Sequence, residues 1–427
     1  MKEITAILID YSEQATLYKA MTSLQTISSK LNSVIVLQNQ NTSLHKLPDH
    51  WPFLTKTEIH SFQTKQMVKA LNKAISKIKS EYVLFLHDSD YLVAAASTNS
   101  FEMNPAQAMI VQNYRIKNIS IHLPLLVRTA LLQEYPFPPD QQLPFKESLF
   151  PAWISGIDAS LQHVQEGLVR KSKEKSTPDR VAKQRFAEKY QLQKVDTQHP
   201  NPSLSILIAN YNMEKYVETA IASCLFQNEK ANQICIMDDG STDNSKERIQ
   251  NWQRNPGVQI FHKKNEGKAR ALNDLLAEVT SDFILELDAD DWLDPDAVSI
   301  IKKHLANAPE DVAVLYGNLR KWKQTADDVQ YKKNAMGREV NGKKDLLSYS
   351  FPLGPRIYRT SSLKAIGGFP VIFFQQGRLY EDVSVLNRLI TDYRFQYANF
   401  TVYNVREHKE SITKNNLEHW NAFFKNL

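Results

Sequence analysis

The chain has 427 residues, 42% hydrophobic and 23% charged, with a net charge of +5, a size and balance that suit two or three soluble domains. No apolar run reaches the length of a membrane span, and because Met1-Lys2-Glu3-Ile4 reads straight into a strand no signal peptide is expected. Cys224 and Cys235 are too few for a disulfide framework or a cysteine zinc site, and read as buried thiols in a reducing cytoplasm.

Residues 4–10 read as a buried strand, 13–30 as a helix and 33–38 as a second strand. Met67, Val68, Leu71, Ile75 and Ile78 fall at helical spacing within 65–79, and a third strand follows at 81–87. This alternation predicts a parallel sheet with helices on its faces. Residues 160–200 are polar and mostly helical by pattern, with Pro178 at a helix start, and end in His199-Pro200-Asn201-Pro202. Within them, residues 168–194 hold nine Lys/Arg against three acids, a surplus of six. A solvated basic linker is expected there, with peripheral contact to an anionic membrane or polymer as the sharper alternative. No nucleic-acid motif is present, so no nucleic-acid partner is expected.

The second half repeats the order: strands at 204–209, 233–237 and 282–287, helices at 213–227 and 268–279. Spacing is nearly constant. Ala70-Leu71-Asn72 matches Ala271-Leu272-Asn273, and Ser80-Glu81-Tyr82 matches Ser281-Asp282-Phe283. Leu126-Val127-Arg128-Thr129 matches Ile357-Tyr358-Arg359-Thr360, and Phe145-Lys146-Glu147 falls where Tyr380-Glu381-Asp382 does. Such agreement predicts one fold used twice, with boundaries at 1–160, a linker at 161–202, and 203–427.

Chemistry concentrates in the second copy. Phe283-Ile-Leu-Glu-Leu-Asp288-Ala-Asp290-Asp291 runs an apolar strand into three carboxylates, where open α/β sheets bind ligands. Spaced acids there suit a divalent cation beside a diphosphate. Asp238-Asp239-Gly240-Ser241-Thr242-Asp243 ends another strand in acids that can accept from a ribose or a base N–H. Gly267 opens a helix whose start, with Lys268 and Arg270, favours a phosphate.

In this order, together with Ala209-Asn210-Tyr211-Asn212, Ile366-Gly367-Gly368-Phe369, Glu381-Asp382 and Arg406-x-His408, the segments resemble the inverting family 2 glycosyltransferases of the GT-A fold. The resemblance covers roughly 203–412. It implies an α/β protein of two tandem GT-A-like (nucleotide-diphospho-sugar transferase) domains, mainly parallel sheets flanked by helices. It implies that Ala209, Tyr211 and Asp239 line the nucleotide-base pocket, that Lys268 sits near the diphosphate, and that Asp288 contacts the ribose or metal. Asp290 would bind a divalent cation, Mn²⁺ or Mg²⁺, with His408 completing the metal site, and Asp382 would be the catalytic base. The implied donor is a nucleotide-diphosphate sugar, a UDP-sugar above others, and the acceptor a glycan or protein hydroxyl.

The first copy lacks much of this. Leu37-Gln38-Asn39 stands where Asp238-Asp239-Gly240 does, Gln66-Met67 where Gly267-Lys268 does, and His87-Asp88-Ser89-Asp90 shifts the acids. It reads as a degenerate, non-catalytic copy that packs, dimerises or holds acceptor, with Glu147 a stand-in for a base. The expected role is synthesis of cell-envelope, capsule or spore-surface polysaccharide in the cytoplasm, at the inner membrane face or on a forming spore. Alternatives are a nucleotidyltransferase and a non-catalytic glycan-binding scaffold. Residues 332–344 read as a mobile lid, Phe373-Phe374 as an acceptor contact or core, and Trp420, Phe423 and Phe424 as the apolar face of a short helix.

Overall fold

Ile4-Thr-Ala-Ile-Leu-Ile9 and Leu204-Ser-Ile-Leu-Ile-Ala-Asn210 are almost wholly apolar, and each forms a strand buried along nearly its whole length. That pattern belongs to strands covered on both faces, where each large aliphatic side chain contributes roughly 1.5–3 kcal/mol on burial. A computed structural model describes residues 3–42, 51–52, 54–63, 65–116, 118–172, 176–195, 202–349, 353–371 and 381–409. The chain divides into two units, Met1–Gln191 and Leu192–Leu427.

The first unit contains strands β1 (Ile4–Ile9), β2 (Leu31–Asn39), β3 (Thr57–Phe62), β4 (Tyr82–His87), β5 (Asp90–Leu92), β6 (Met109–Ile116), β7 (Ile119–Arg128), β8 (Gln162–Gln165) and β9 (Val169–Lys171). Its helices are α1 (Gln14–Ser23), α2 (Met67–Ile75), α3 (Thr129–Glu134), α4 (Leu149–Ser155) and α5 (Pro178–Glu188). Seven strands form one sheet in the order β3-β2-β1-β4-β7-β6-β8, and β5 pairs with β9.

The second unit contains β10 (Leu204–Asn210), β11 (Gln233–Asp239), β12 (Val258–Lys263), β13 (Phe283–Glu286), β14 (Trp292–Leu293), β15 (Val312–Gln324), β16 (Val329–Ala335), β17 (Ile357–Arg359) and β18 (Arg394–Glu407). Its helices are α6 (Val217–Leu225), α7 (Ser245–Gln250), α8 (Lys268–Glu278), α9 (Ala297–Leu305), α10 (Lys343–Leu347), α11 (Thr360–Ala365) and α12 (Glu381–Asp392). The sheet runs β12-β11-β10-β13-β17-β15-β18-β14, with β16 added on β15.

Strand for strand, the first seven repeat the order of the first unit. The directions repeat too: β7 and β17 run antiparallel to both neighbours, and the other pairs along this path are parallel. Side chains carry the same correspondence. The Asn72 amide donates to Phe137 O (2.9 Å) and accepts from Phe137 N–H (3.1 Å). Asn273 does the same with Phe369, both at 2.8 Å. Ser80 donates to Thr5 Oγ1 and Ser281 to Ser205 Oγ. Each unit is thus an α/β layer fold with a mixed, mostly parallel sheet flanked by helices.

Two expectations change. Residues 162–172 and 176–191 do not form a free linker. β8 extends the first sheet, β9 pairs with β5, and α5 buries Phe186 and Ala187. That helix does begin at Pro178, behind a Thr177 cap that accepts from Arg180 N–H, as a proline without an N–H allows. Within the stretch read as a lid, residues 332–335 belong to β16, paired with β15. The edge strands β3 and β12 carried no alternation strong enough to read. Asn201, His199, Pro200, Phe373, Phe374, Tyr380, Trp420, Phe423 and Phe424 lie outside the described residues. Among the described residues no helix is long and apolar enough to cross a membrane.

Candidate active site

Period-two alternation in β13 sets the site. Phe283, Leu285 and Leu287 enter one core layer, while Ile284 enters the other. Glu286 and then Asp288 therefore follow Ile284 toward the face that carries α8. Glu286 is 2% exposed, and a carboxylate so buried needs opposite charge. Lys268, first residue of α8, supplies it: its Nζ lies 2.9 Å from Glu286 Oε1, 2.5 Å from Asp288 Oδ1 and 3.3 Å from Glu381 Oε1. Arg356 donates to both Glu286 oxygens, from Nε at 2.9 Å and Nη2 at 3.1 Å. Its Nη1 donates to Asp382 Oδ2 at 3.4 Å, and Nη2 lies 3.6 Å from Asp288 Oδ2.

Two cations thus face four acids. Burial works to raise the Glu286 carboxyl, but Arg356 and Lys268 outweigh it and hold the group well below the usual carboxylate range. Burial likewise works against the Lys268 ammonium, yet Asp288, Glu286 and Glu381 keep it charged. Burial, only partly offset by Lys268, raises the Glu381 carboxyl. The surplus of acid suits an incoming cation, since unit charges about 4 Å apart interact by about 4 kcal/mol in a partly screened site.

Beyond β13 the chain turns into β14, which pairs antiparallel with β18, Trp292 opposite Asn404. The pairing draws Arg406 and His408 back over the acids. Arg406 N–H donates to Asp291 Oδ1 (2.7 Å) and its Nε to Asp290 O (2.8 Å), with the guanidinium between the Tyr216 and Trp292 rings. His408 Nε2 lies 2.9 Å from Asp290 Oδ2. Burial, then the Asp290 and Asp288 charges, push the Asp291 carboxyl well above the carboxylate range. Asp288 N–H donates to the Tyr403 hydroxyl at 3.0 Å.

At the tip of β11, Asp239 accepts from the N–H groups of Glu266 (2.9 Å) and Gly267 (2.8 Å). These two donors at the start of α8, expected to be free for a phosphate, are engaged by a carboxylate of the chain itself. Gly240 has φ 70, and a Cβ there would stand 2.5 Å from Asn265 N, so only glycine lets the two loops approach.

A glycosyl transferase family 2 model matches residues 205–367. This stretch is a family 2 glycosyltransferase domain. Chondroitin synthase of Pasteurella multocida (strain Pm70) is 40% identical over 106 residues, 25% of this chain and 11% of that protein. Hyaluronan synthase of Pasteurella multocida is 38% identical over 112 residues, 26% of this chain and 12% of that protein. The matches thus span little more than a tenth of either relative. A solved structure of S. aureus TarS 1–349 in complex with UDP-GlcNAc is 18% identical, covers 50% of this chain and 60% of that one, and has a TM-score of 0.37.

Within and just beyond the family 2 domain, Lys268, Asp288 and Asp382 meet in one charge network through Arg356, and Asp290 meets His408. Lys268 is bound among carboxylates rather than standing alone at a helix start. Ala209 is next to last on β10, beside β11, and Tyr211, just past the tip, is 42% exposed. Glu286, Arg356, Tyr358 and Tyr403 carry much of the geometry and were missed. A glutamate inside an apolar strand was the available signal for Glu286. Arg356, in Gly354-Pro355-Arg356, had none, because its partners lie up to 70 residues away.

The matching strand ends of the first unit are filled differently. Asp90, 1% exposed, accepts from the Tyr114 hydroxyl at 2.8 Å and lies 3.7 Å from Lys171 Nζ. Asp88 lies 3.8 Å from Lys171 and 3.7 Å from Arg180. Lys183 lies 3.9 Å from Glu147, and Lys146 donates to Asp10 at 2.7 Å. Part of the basic segment is thereby turned inward onto these acids, while Arg170, Arg185 and Lys194 are exposed.

Proposed function

We propose that the second unit transfers a sugar, with inversion, from a nucleoside-diphosphate donor, a UDP-sugar by preference, to a hydroxyl of a growing glycan. The family 2 match and the names of its relatives support the reaction class and a polysaccharide product. The observation that carries the assignment is the single network in which Arg356 reaches both Asp382 and Asp288, with the Asp290–His408 pair two residues on. Asp382 accepts the acceptor's hydroxyl proton while that oxygen attacks the anomeric carbon from the face opposite the leaving group. The bond to the diphosphate breaks, and its electron pair departs with the nucleoside diphosphate.

A divalent cation fits Asp290 and His408, one carboxylate and one imidazole. Among the described residues no cluster of three His, Cys, Asp or Glu side chains could hold an ion, so diphosphate oxygens and water would complete the shell. When bound, such an ion neutralises charge building on the departing diphosphate. Ala209, Tyr211 and Asp239 would flank the base, and Lys268 would face the diphosphate from within the acid cluster.

The first unit is read as non-catalytic. Its strand-end acids Asp88, Asp90 and Asp10 lie against Lys171, Arg180 and Lys146, which leaves less charge to hold a metal ion.

Incubation with a panel of UDP-sugars and GDP-sugars, with and without Mn²⁺, tests the proposal. Release of nucleoside diphosphate with metal supports it. Release of pyrophosphate from a nucleoside triphosphate and a sugar phosphate would instead mark a nucleotidyltransferase.

A further inference from the structure

Arg356 holds a place that a simple counter-ion would not require. The β13–β17 ladder pairs Leu285 with Ile357, and Glu286 N–H then donates to Arg356 O at 3.2 Å. The ladder therefore sets Glu286 and Arg356 side by side at the mouth of the site. Nε and Nη2 of Arg356 grip Glu286, and the Tyr358 hydroxyl donates to Glu286 Oε2 at 3.2 Å, so the plane of the guanidinium is fixed. The remaining donors face outward: Nη1 toward Leu353 O (3.5 Å) and Asp382 Oδ2 (3.4 Å), Nη2 also toward Asp288 Oδ2 (3.6 Å).

Asp382 is thereby held at both oxygens. Its Oδ1 accepts from Val383 N–H at 2.8 Å, and its Oδ2 from Arg356. A buried ion pair adds little net stability over an apolar pair of similar size, so stability alone does not account for the Glu286–Arg356 grip. Geometry does, because one planar fork anchored at one edge sets the spacing of two carboxylates at the other. Lysine has a single mobile ammonium and cannot do this.

We propose that Arg356, anchored by Glu286 and Tyr358, is a positioning residue that fixes Asp382 relative to Asp288, and so aims the base at the face opposite the leaving group. This rests on the transferase reading above. Arg356 bonds to the carboxylate of Asp382. It acts through Asp382, and its loss should slow turnover without loosening donor binding.

The test compares wild type, Arg356→Lys and Tyr358→Phe by release of UDP from whichever UDP-sugar the wild type turns over, by UDP titration with Mn²⁺ in a calorimeter, and by thermal melting. Arg356→Lys is expected to lower kcat about 10²-fold, the scale of a misplaced reacting group, with donor KM and UDP affinity within about threefold of wild type. Tyr358→Phe, which removes only the hydroxyl bracing Glu286, should lower kcat several-fold at unchanged KM, and it decides the matter if Arg356→Lys does not fold. An active wild type whose Arg356→Lys or folded Tyr358→Phe form keeps full kcat overturns the positioning role alone. So does a variant whose KM and UDP affinity worsen in step with kcat. A wild type that neither binds UDP with Mn²⁺ nor splits any donor overturns the transferase reading itself, and this proposal with it.

Discussion

His408 Nε2 lies 2.9 Å from Asp290 Oδ2, although 118 residues separate them in the chain. The antiparallel pairing of β14 with β18 brings them together, and Arg406, stacked between Tyr216 and Trp292, fixes the backbone of the acid loop beneath. An imidazole and a carboxylate at this spacing can share one divalent ion. Asp290→Ala is expected to remove the Mn²⁺-dependent part of UDP binding, and His408→Ala to weaken it at least tenfold, about 1.4 kcal/mol. Calorimetry with and without Mn²⁺ checks both, and an unchanged titration in either variant would count against the shared site.

Asp382 stands in the first turn of α12, bonded to Val383 N–H and Arg356. Asp382→Asn keeps the shape and removes the proposed base. Its turnover should fall roughly 10²–10⁴-fold, while UDP binding with Mn²⁺ stays near wild type. Loss of binding together with turnover would reassign the residue to the donor site.

Asn72 and Asn273 each clasp a phenylalanine backbone by two hydrogen bonds. Truncating either to alanine leaves an N–H and a C=O without that partner, and should cost about 2–4 kcal/mol in the unit concerned. Gly368 has φ 83, and a Cβ there would meet Asn273 Oδ1 at 2.3 Å, so Gly368→Ala should destabilise the second unit as well. Urea unfolding followed by hydrogen exchange assigns each loss to its unit, and losses below about 0.5 kcal/mol would show the clasps to be incidental.

Glu286 links stability to pH. Its folded-state pKa is depressed from an ordinary 4.5, because Arg356 and Lys268 outweigh the effect of burial. Below about pH 4.5 the unfolded chain takes up a proton that the folded carboxylate refuses, so this stabilisation declines as pH falls. Glu286→Gln should cost about 3–5 kcal/mol at pH 7 by leaving buried positive charge uncompensated, and should show a shallower loss below pH 4.5. Urea midpoints across pH 3–7 measure both; parallel curves for the two proteins would contradict the linkage.

Burial pushes the thiols of Cys224 and Cys235 up to about 12, so both should resist a disulfide reagent at pH 8 in the folded protein. Two thiols per chain should react once denaturant is added, and rapid labelling of the native protein would place one of them at the surface.

Much of the parallel half of each sheet was legible, because apolar runs and helical spacing record burial locally. β1, β2, β4, β10, β11 and β13 fall close to the expected positions, and so do α2 and α8. α1 is shorter than expected, ending at Ser23 before a 3-10 turn from Leu24 to Ile27. β3, half polar at the sheet edge, gave no period to read. The basic run was legible as charge but not as destination: Lys171, Arg180 and Lys183 turn onto Asp90, Asp88 and Glu147, which the linear sequence places far from them.

By itself the amino-acid sequence determined where strands end in acids, that the pattern occurs twice, and that only the second copy keeps Asp238-Asp239-Gly240, Gly267-Lys268 and Asp288-Ala289-Asp290-Asp291. These are local properties, written within a few residues of each strand tip. The tertiary structure alone decided which charges meet. Lys268 joins Glu286 and Glu381, Arg356 spans Asp288 and Asp382, and His408 reaches Asp290, through antiparallel pairings and helix packing that close loops of tens of residues. Such pairings obey the register of the whole sheet and the need of each buried charge for a partner, and neither constraint leaves a periodic trace in the neighbouring sequence.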